Sequence, residues 1–188
     1  HVINVTGPAA ATITRMLGFD IPVRNRKRFV FVFNCRTLDH TPLTIDPSGT
    51  YFRPENRTFI TGVSPARDED FDVDAVDFDV NHELFEERIW PVIAERVPAF
   101  EDIKLVRSWA GHYEFNTFDQ NAFIGPHHKW RNFFLANGFS GHGLQHSPAT
   151  GRALSELILD GKYTTLDLSC FSFSRYLENR PLFEKNVV

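Results

Sequence analysis

Residues 133–151 read Phe-Phe-Leu-Ala-Asn-Gly-Phe-Ser-Gly-His-Gly-Leu-Gln-His-Ser-Pro-Ala-Thr-Gly, and this stretch indicates the fold. The apolar run from Phe133 to Ala136 has the length and composition of a buried strand. Three glycines interrupt it between positions 138 and 143, and a helical pattern then continues to a stop at Asp160-Gly161. Glycines allow close approach to the backbone, and a helix N-terminus offers free N–H groups and a positive dipole end. The stretch therefore predicts a strand, a glycine loop and a helix that hold an electron-rich ligand, without naming that ligand.

The composition is that of one globular domain or a large part of one. The chain has 188 residues, of which 42% are hydrophobic and 23% charged, and its net charge is −4. This charge gives no reason to expect nucleic acid or an anionic membrane surface as the main partner. No apolar run approaches roughly 18 residues, so no transmembrane segment is predicted. The two cysteines, Cys35 and Cys170, lack metal-ligand spacing and fit free thiols in a reducing compartment, with one disulfide left open.

The remaining pattern predicts mainly strands. Pro, Gly and Asn turns separate the short runs between residues 44 and 61, which predicts an antiparallel meander. An amphipathic helix predicted over Glu83–Glu95 contains Pro91, which implies a kink or a break into two helices. A short helix is predicted over Ala9–Leu17, and the predicted strands are Val2–Val5, Arg28–Asn34, Thr44–Asp46, Tyr51–Arg53, Thr58–Thr61, Ile103–Tyr113 and Ala122–Gly125.

The letters from Gly138 to Gly143 resemble the C-terminal flavin-contacting motif of the FAD-dependent amine oxidoreductases, the family of D-amino-acid, glycine and sarcosine oxidases. The resemblance extends in order over most of the chain. It is strongest to a mitochondrial member of the family that is associated with assembly of respiratory complex I. The other blocks that carry it are Arg26–Val32, Ser48–Arg53, Trp90-Pro91, Arg96–Glu101, Trp109–Gly111 and Asn116–Asn121.

The resemblance implies an α+β fold, the C-terminal part of a two-domain FAD-linked reductase. In that fold an antiparallel sheet roofs the flavin, and the strand, glycine loop and helix belong to the cofactor domain. Residues 1–18 and 122–165 would be pieces of the FAD-binding domain, 19–121 the antiparallel substrate or roof domain, and 166–188 a C-terminal tail. The family's Gly-x-Gly-x-x-Gly motif is absent from this sequence. We therefore expect the N-terminal FAD-binding half to precede His1 in a longer precursor or to be a separate chain.

The resemblance also implies a cofactor site, with FAD bound once the N-terminal half is present. No cysteine occurs between Trp109 and Asn121, where some members carry one that bonds the flavin, so non-covalent binding is expected. The residues alone leave an alternative, in which the glycines only cap a helix and pack it against a strand. The residues implied in cofactor binding are Gly7, Ser140, Gly141, His142, Gly143, Leu144 and Gln145.

Arg28 and Tyr113 are weaker candidates, for substrate binding. An arginine can bind a substrate carboxylate through both of its terminal nitrogens, and the tyrosine can line a cavity above the flavin ring. The alternatives are that Arg28 belongs to a solvated basic face and that Tyr113 is a core aromatic.

No metal site is predicted, and no catalytic residue is identified. His142 and His146 lack both an intervening glutamate and a third ligand. The seven acidic residues between Asp68 and Asp79 lack the glycine and the final glutamate of a calcium loop. They are expected to form a solvated loop or a surface for a basic partner.

The function implied by the resemblance is oxidation of an amine or N-methyl amino acid by FAD, in the mitochondrial matrix or on the matrix face of the inner membrane. Gln145 departs from the pattern, because sarcosine oxidases carry there a lysine that can activate oxygen through its charge. The alternative is a non-catalytic structural or assembly subunit of a larger mitochondrial complex. Its partners would be the N-terminal half or other subunits of that complex.

Overall fold

The computed structural model describes residues 1–38, 40–66 and 68–185, which form two compact units. In this described part, the first unit comprises residues 1–26 and 113–185, and the second comprises residues 27–112. The predicted domain boundaries concern the longer two-domain flavoprotein fold and stay a prediction. Residues 39 and 67 of the predicted roof domain and 186–188 of the predicted tail lie outside the described residues.

Most of the predicted elements are present. The strands are β1 (Val2–Asn4), β2 (Val23–Cys35), β3 (Thr44–Ile45), β4 (Thr50–Glu55), β5 (Thr58–Val63), β6 (Ile103–Asn116), β7 (Phe123–Pro126) and β8 (Phe133–Asn137). The helices are α1 (Ala10–Met16), α2 (Trp90–Arg96), α3 (Gly143–Leu159) and α4 (Ser174–Leu177). No helix in the described ranges combines the length and the apolar character needed to span a bilayer.

The first unit is built on a three-stranded sheet in the order β1-β8-β7, with β8 parallel to β1 and antiparallel to β7. All five residues of β8 are buried, as expected for a strand covered on both faces. One face packs with the alanines of α1, and the other packs with Ala153 and Leu154 of α3. The alternation of side chains along β8 explains this: Phe133 and Leu135 enter the first cluster, while Phe134 and Ala136 enter the second.

The C-terminal segment is anchored to the first unit by a buried ion pair. The Arg175 guanidinium donates to both carboxylate oxygens of Asp119, at 2.7 and 3.1 Å, and the side chains of these residues are 4% and 0% exposed. Arg175 also donates to the carbonyl oxygens of Phe171 and Asn121 and lies 4.3 Å from the ring centre of Phe123. A buried ion pair of this kind is tolerated because both partners are fully hydrogen-bonded.

The second unit holds a phenylalanine-rich core. Its sheet has the order β3-β4-β5-β2-β6, and the meander predicted between residues 44 and 61 forms the β3, β4 and β5 strands. Aromatic rings meet at centre-to-centre distances of 5.0 to 5.4 Å, a separation at which ring pairs add to the stability from burial. The buried residues of this core are Phe31, Phe33, Phe52, Phe59, Val63, Phe85, Ile89, Ile93 and Phe100.

The helix predicted around Pro91 is broken, as the proline implies. Residues Phe85–Ile89 form a π-helical turn, and α2 begins at Trp90 with Pro91 in its first turn. The Trp90 N–H reaches back to the Phe85 carbonyl, five residues earlier. This wider turn accommodates a residue that has no N–H of its own to donate.

Candidate functional site

The topology of the first unit brings Gly7 and the glycine loop to one edge of its sheet. Strands β1 and β8 are parallel, with Asn4 opposite Leu135, so both strands end at the same edge. Gly7 follows β1 after two residues, and Gly138 follows β8 directly. Ligands of open sheets with parallel strands bind at the carboxyl ends of those strands. The predicted cofactor residues at positions 7 and 140–145 therefore lie at the edge where a ligand is expected.

The glycine loop has a backbone conformation that requires glycine. Gly141 has φ of +100°, and a Cβ built on it would lie 2.9 Å from Cε2 of Tyr113. Gly138 has φ of +82°. Both values fall in the left-handed region that side chains disfavour. Tyr113, predicted as a substrate residue, thus has its ring against the loop backbone at Gly141, and a role in substrate binding stays a prediction.

Ser140 makes its hydrogen bonds to the protein backbone. It is completely buried. Its hydroxyl accepts a hydrogen bond from the Asn116 N–H at 3.0 Å and donates to the Gly138 carbonyl at 3.3 Å, while its own N–H donates to the Glu114 carbonyl at 3.3 Å. Both donors of Ser140 are therefore occupied by the protein, and the structure shows it holding the loop. Its predicted direct contact with a cofactor stays a prediction.

The first turn of α3 presents backbone N–H groups that the helix does not use. His142 is the N-cap residue, and its side chain makes no capping hydrogen bond. The N–H groups of Gly143, Leu144 and Gln145 have no carbonyl one turn earlier within the helix, whereas that of His146 bonds to the His142 carbonyl at 3.1 Å. Leu144 is 86% exposed. The predicted residues 143–145 are thus held together as an uncapped helix N-terminus that can accept an electron-rich group.

Pro148 lies inside α3 without ending it. A proline has no N–H, so the carbonyl of Leu144, four residues earlier, loses its helical donor. The Ser147 hydroxyl donates to that carbonyl at 2.9 Å instead. The Leu144 carbonyl in the first turn is therefore hydrogen-bonded, while the N–H groups of residues 143–145 remain available to a ligand.

Sequence reasoning missed Glu114, which lies beneath the loop. Its Oε2 accepts a hydrogen bond from the Gly138 N–H at 2.9 Å. Burial raises the pKa of this carboxyl to about 7, although the amides of Gly138 and Phe139 act in the opposite direction. The only signal in the sequence was an acidic residue between two aromatic residues, Tyr113 and Phe115, directly after a predicted strand.

Arg28 belongs to the second unit, where it forms an ion pair. Its two terminal nitrogens donate to the two carboxylate oxygens of Asp70 at 2.7 and 3.0 Å, and Arg28 is 9% exposed. Lys27 likewise donates to Asp77, and these hydrogen bonds lower the pKa of the Asp77 carboxyl. Arg28 and Lys27 are therefore each paired with a carboxylate of the same unit. The acidic segment has basic partners within its own unit, and substrate binding by Arg28 stays a prediction.

The comparison with known proteins identifies the family. The family model described as DAO, FAD dependent oxidoreductase, matches residues 1–157. The chain belongs to the DAO family of FAD-dependent oxidoreductases. The predicted family resemblance is therefore confirmed, and the match includes both Gly7 and the loop that precedes α3.

One relative and two solved structures are similar to this chain over nearly its whole length. The FAD-dependent oxidoreductase domain-containing protein 1 of Xenopus laevis is 49% identical over 192 aligned positions, which cover all of this chain and 38% of the relative. L-proline dehydrogenase from P. horikoshii has a TM-score of 0.83 at 25% identity, covering 96% of this chain and 48% of that one. Glycine oxidase from Geobacillus kaustophilus has a TM-score of 0.77 at 23% identity, covering 93% and 45%.

These matches confirm the predicted α+β fold class, the C-terminal part of a two-domain FAD-linked reductase. The chain spans less than half the length of each of the three proteins that it matches. The activity, substrates and partners of the whole protein are therefore matters for proposal.

Proposed function

We propose that this chain supplies the flavin-contacting glycine loop of an FAD-dependent oxidoreductase that oxidises an amine or N-methyl amino acid. The observation that carries the proposal is the uncapped N-terminus of α3 at the carboxyl edge of the sheet, in a chain of the DAO family. When bound, FAD supplies the acceptor for a hydride equivalent from an amine C–H bond. Substrate class and non-covalent attachment are part of the proposal.

The residues of the loop fit the pyrimidine edge of a flavin, which carries carbonyl and ring-nitrogen acceptors. The N–H groups of residues 143–145 are donors of matching polarity, and the helix dipole favours negative charge beside them by about 0.3–2 kcal/mol. The glycine at position 141 leaves the loop backbone without a side chain.

Asn137 supports the fit from the end of β8. It is fully buried, yet neither its Oδ1 nor its Nδ2 has a hydrogen-bond partner in the described part of the chain. Buried amides are normally hydrogen-bonded, so polar capacity remains at this edge of the sheet for a bound group or a water. The role of the chain is to bind and orient the ring and to stabilise negative charge on it.

The test is the absorption spectrum of the protein expressed from its complete coding sequence. We expect a flavin band at about 450 nm that a denaturant releases into the low-molecular-mass filtrate, because the attachment is non-covalent. Anaerobic addition of N-methyl amino acids should then bleach the band. Absence of flavin from the purified protein would contradict the proposal, and flavin retained by the denatured chain would contradict non-covalent attachment.

A second function, a structural or assembly subunit without turnover, is favoured by Gln145. This neutral residue lies in the exposed first turn of α3, where sarcosine oxidases carry a lysine. A bound flavin that no amine bleaches would support this second function. If the position faces the ring, Gln145→Lys should speed reaction of the reduced protein with oxygen, and Gln145→Met, which adds no charge, should not. Equal rates for both variants would show that the charge at this position has no influence.

The proposal extends to a mitochondrial location and a role in assembly of respiratory complex I. Its support is the resemblance of the sequence blocks described above. Cell fractionation of the tagged protein should place it in the matrix or on the matrix face of the inner membrane. Cells that lack the protein should contain less assembled complex I, and normal complex I levels in those cells would contradict the assembly role.

A further inference from the structure

Glu114 contacts the glycine loop with both its side chain and its backbone. The carboxylate Oε2 accepts the Gly138 N–H at 2.9 Å, at the first residue of the loop. The Glu114 carbonyl accepts the Ser140 N–H at 3.3 Å, two residues further on. One residue of β6 therefore holds two successive points of a loop that is 24 residues away in sequence.

The same carboxyl also reaches the start of α3. Its Oε1 lies 3.8 Å from the position that a Cβ on Gly143 would occupy. The carboxyl thus lies between the beginning of the loop and the first residue of the helix. In this place it can fix the direction in which the helix N-terminus points, because one end of the loop is hydrogen-bonded to it and the other end lies close by.

The surroundings of Glu114 disfavour the charged form of its carboxyl group. Burial raises its pKa to about 7, with backbone amides opposing the shift, and no basic side chain of the described residues contributes. An arginine or lysine partner would be the ordinary way to stabilise a buried carboxylate. Carboxyls with strongly shifted pKa values concentrate at functional sites.

We propose that Glu114 is a positioning residue whose carboxyl group holds the Gly138–Gly143 loop so that the free N–H groups of α3 face the flavin. The inference rests on the proposed function for its ligand. The ordering of the loop by Glu114 is expected in the cofactor-free protein as well. Glu114 acts through the loop and is not assigned a contact with the flavin or the substrate.

Two substitutions separate the hydrogen bond from the charge. Glu114→Gln retains a side-chain oxygen of the same reach and can accept the Gly138 N–H. Glu114→Leu has similar bulk and no acceptor, so that N–H loses its partner. Glu156→Leu is the matched control, because Glu156 is a buried carboxylate that likewise accepts backbone amides, those of Thr164 and Thr165, near the other end of α3.

The experiment uses the protein from its complete coding sequence and has two readouts. The first is deuterium exchange of peptides that cover residues 138–143 in the cofactor-free protein. The second is the Kd of FAD, measured by quenching of flavin fluorescence. Glu114→Leu should speed exchange in the loop and weaken FAD binding by about 10- to 100-fold, the effect of losing one hydrogen bond to a charged group. Glu114→Gln should restore both values to within a few-fold of wild type.

The outcomes distinguish this inference from the proposed function. Unchanged loop exchange and unchanged FAD binding in Glu114→Leu would overturn the role of Glu114 while leaving the flavin site intact. Equal weakening by Glu156→Leu would also overturn it, because the effect would then be general loss of stability. A third outcome is that Glu114→Leu speeds loop exchange but the wild-type protein binds no FAD. This outcome would overturn the proposed function and the flavin-positioning role, and would retain only the ordering of the loop.

Discussion

Replacing Glu114 by glutamine should change how the stability of the protein depends on pH. The glutamine side chain has the shape and the acceptor of a protonated glutamic acid but cannot lose a proton. Because burial raises the pKa of the native carboxyl to about 7 from an ordinary value of 4.5, the native state retains a proton that the unfolded chain releases. The contribution of Glu114 to stability is therefore fully present below about pH 4.5 and is lost as pH rises to about 7.

The magnitude follows from the two pKa values. Each unit of difference corresponds to about 1.4 kcal/mol, so the wild type should lose up to about 3 kcal/mol across this range relative to Glu114→Gln. Part of the Glu114 side chain is exposed, and solvent reduces the effect, so about 2 kcal/mol is a reasonable expectation. The variant should gain this amount relative to the wild type between pH 4.5 and pH 8.

The assay is urea unfolding of both proteins at several pH values, followed by tryptophan fluorescence. The quantity of interest is the difference between the two free energies of unfolding, because the other titrating groups are common to both proteins and cancel. His127 is one such group: burial lowers its pKa to about 4, so its protonation destabilises both proteins as pH falls below about 6.5. A difference that is independent of pH, or that favours the wild type as pH rises, would refute the reasoning.

Two further predictions concern backbone strain and the buried ion pair. Gly141→Ala should destabilise the protein by about 2 kcal/mol or more, because its positive φ and the ring of Tyr113 both oppose a Cβ. Gly151→Ala, in an open position on α3, should stabilise by up to about 1 kcal/mol, and equal effects in thermal unfolding would contradict the argument. Asp119→Asn should cost about 3–5 kcal/mol, because it leaves the buried guanidinium of Arg175 without its counter-charge. A melting temperature within a degree or two of wild type would show that the pair is dispensable.

The elements around the site could be predicted because their signals are local. A buried strand requires a continuous apolar run, the left-handed turns at Gly138 and Gly141 require glycine, and α3 shows its periodicity over more than three turns. The break at Pro91 followed from a missing N–H. In each case the residues that specify the structure are also the residues that adopt it.

The sequence by itself determined the strand, the glycine loop, the helix that follows it and the family resemblance. Only the tertiary structure decided which side chains, distant in sequence, contact one another. Glu114 contacts the loop because β6 brings together residues 24 positions apart, and Arg28 is neutralised by Asp70 across 42 positions. Neither contact has a periodic or compositional signal, since any acidic residue of the chain could in principle have been the partner. Ser140 illustrates the same point within the motif: the residue type indicated a ligand contact, but burial turned its hydroxyl toward the backbone of Asn116 and Gly138.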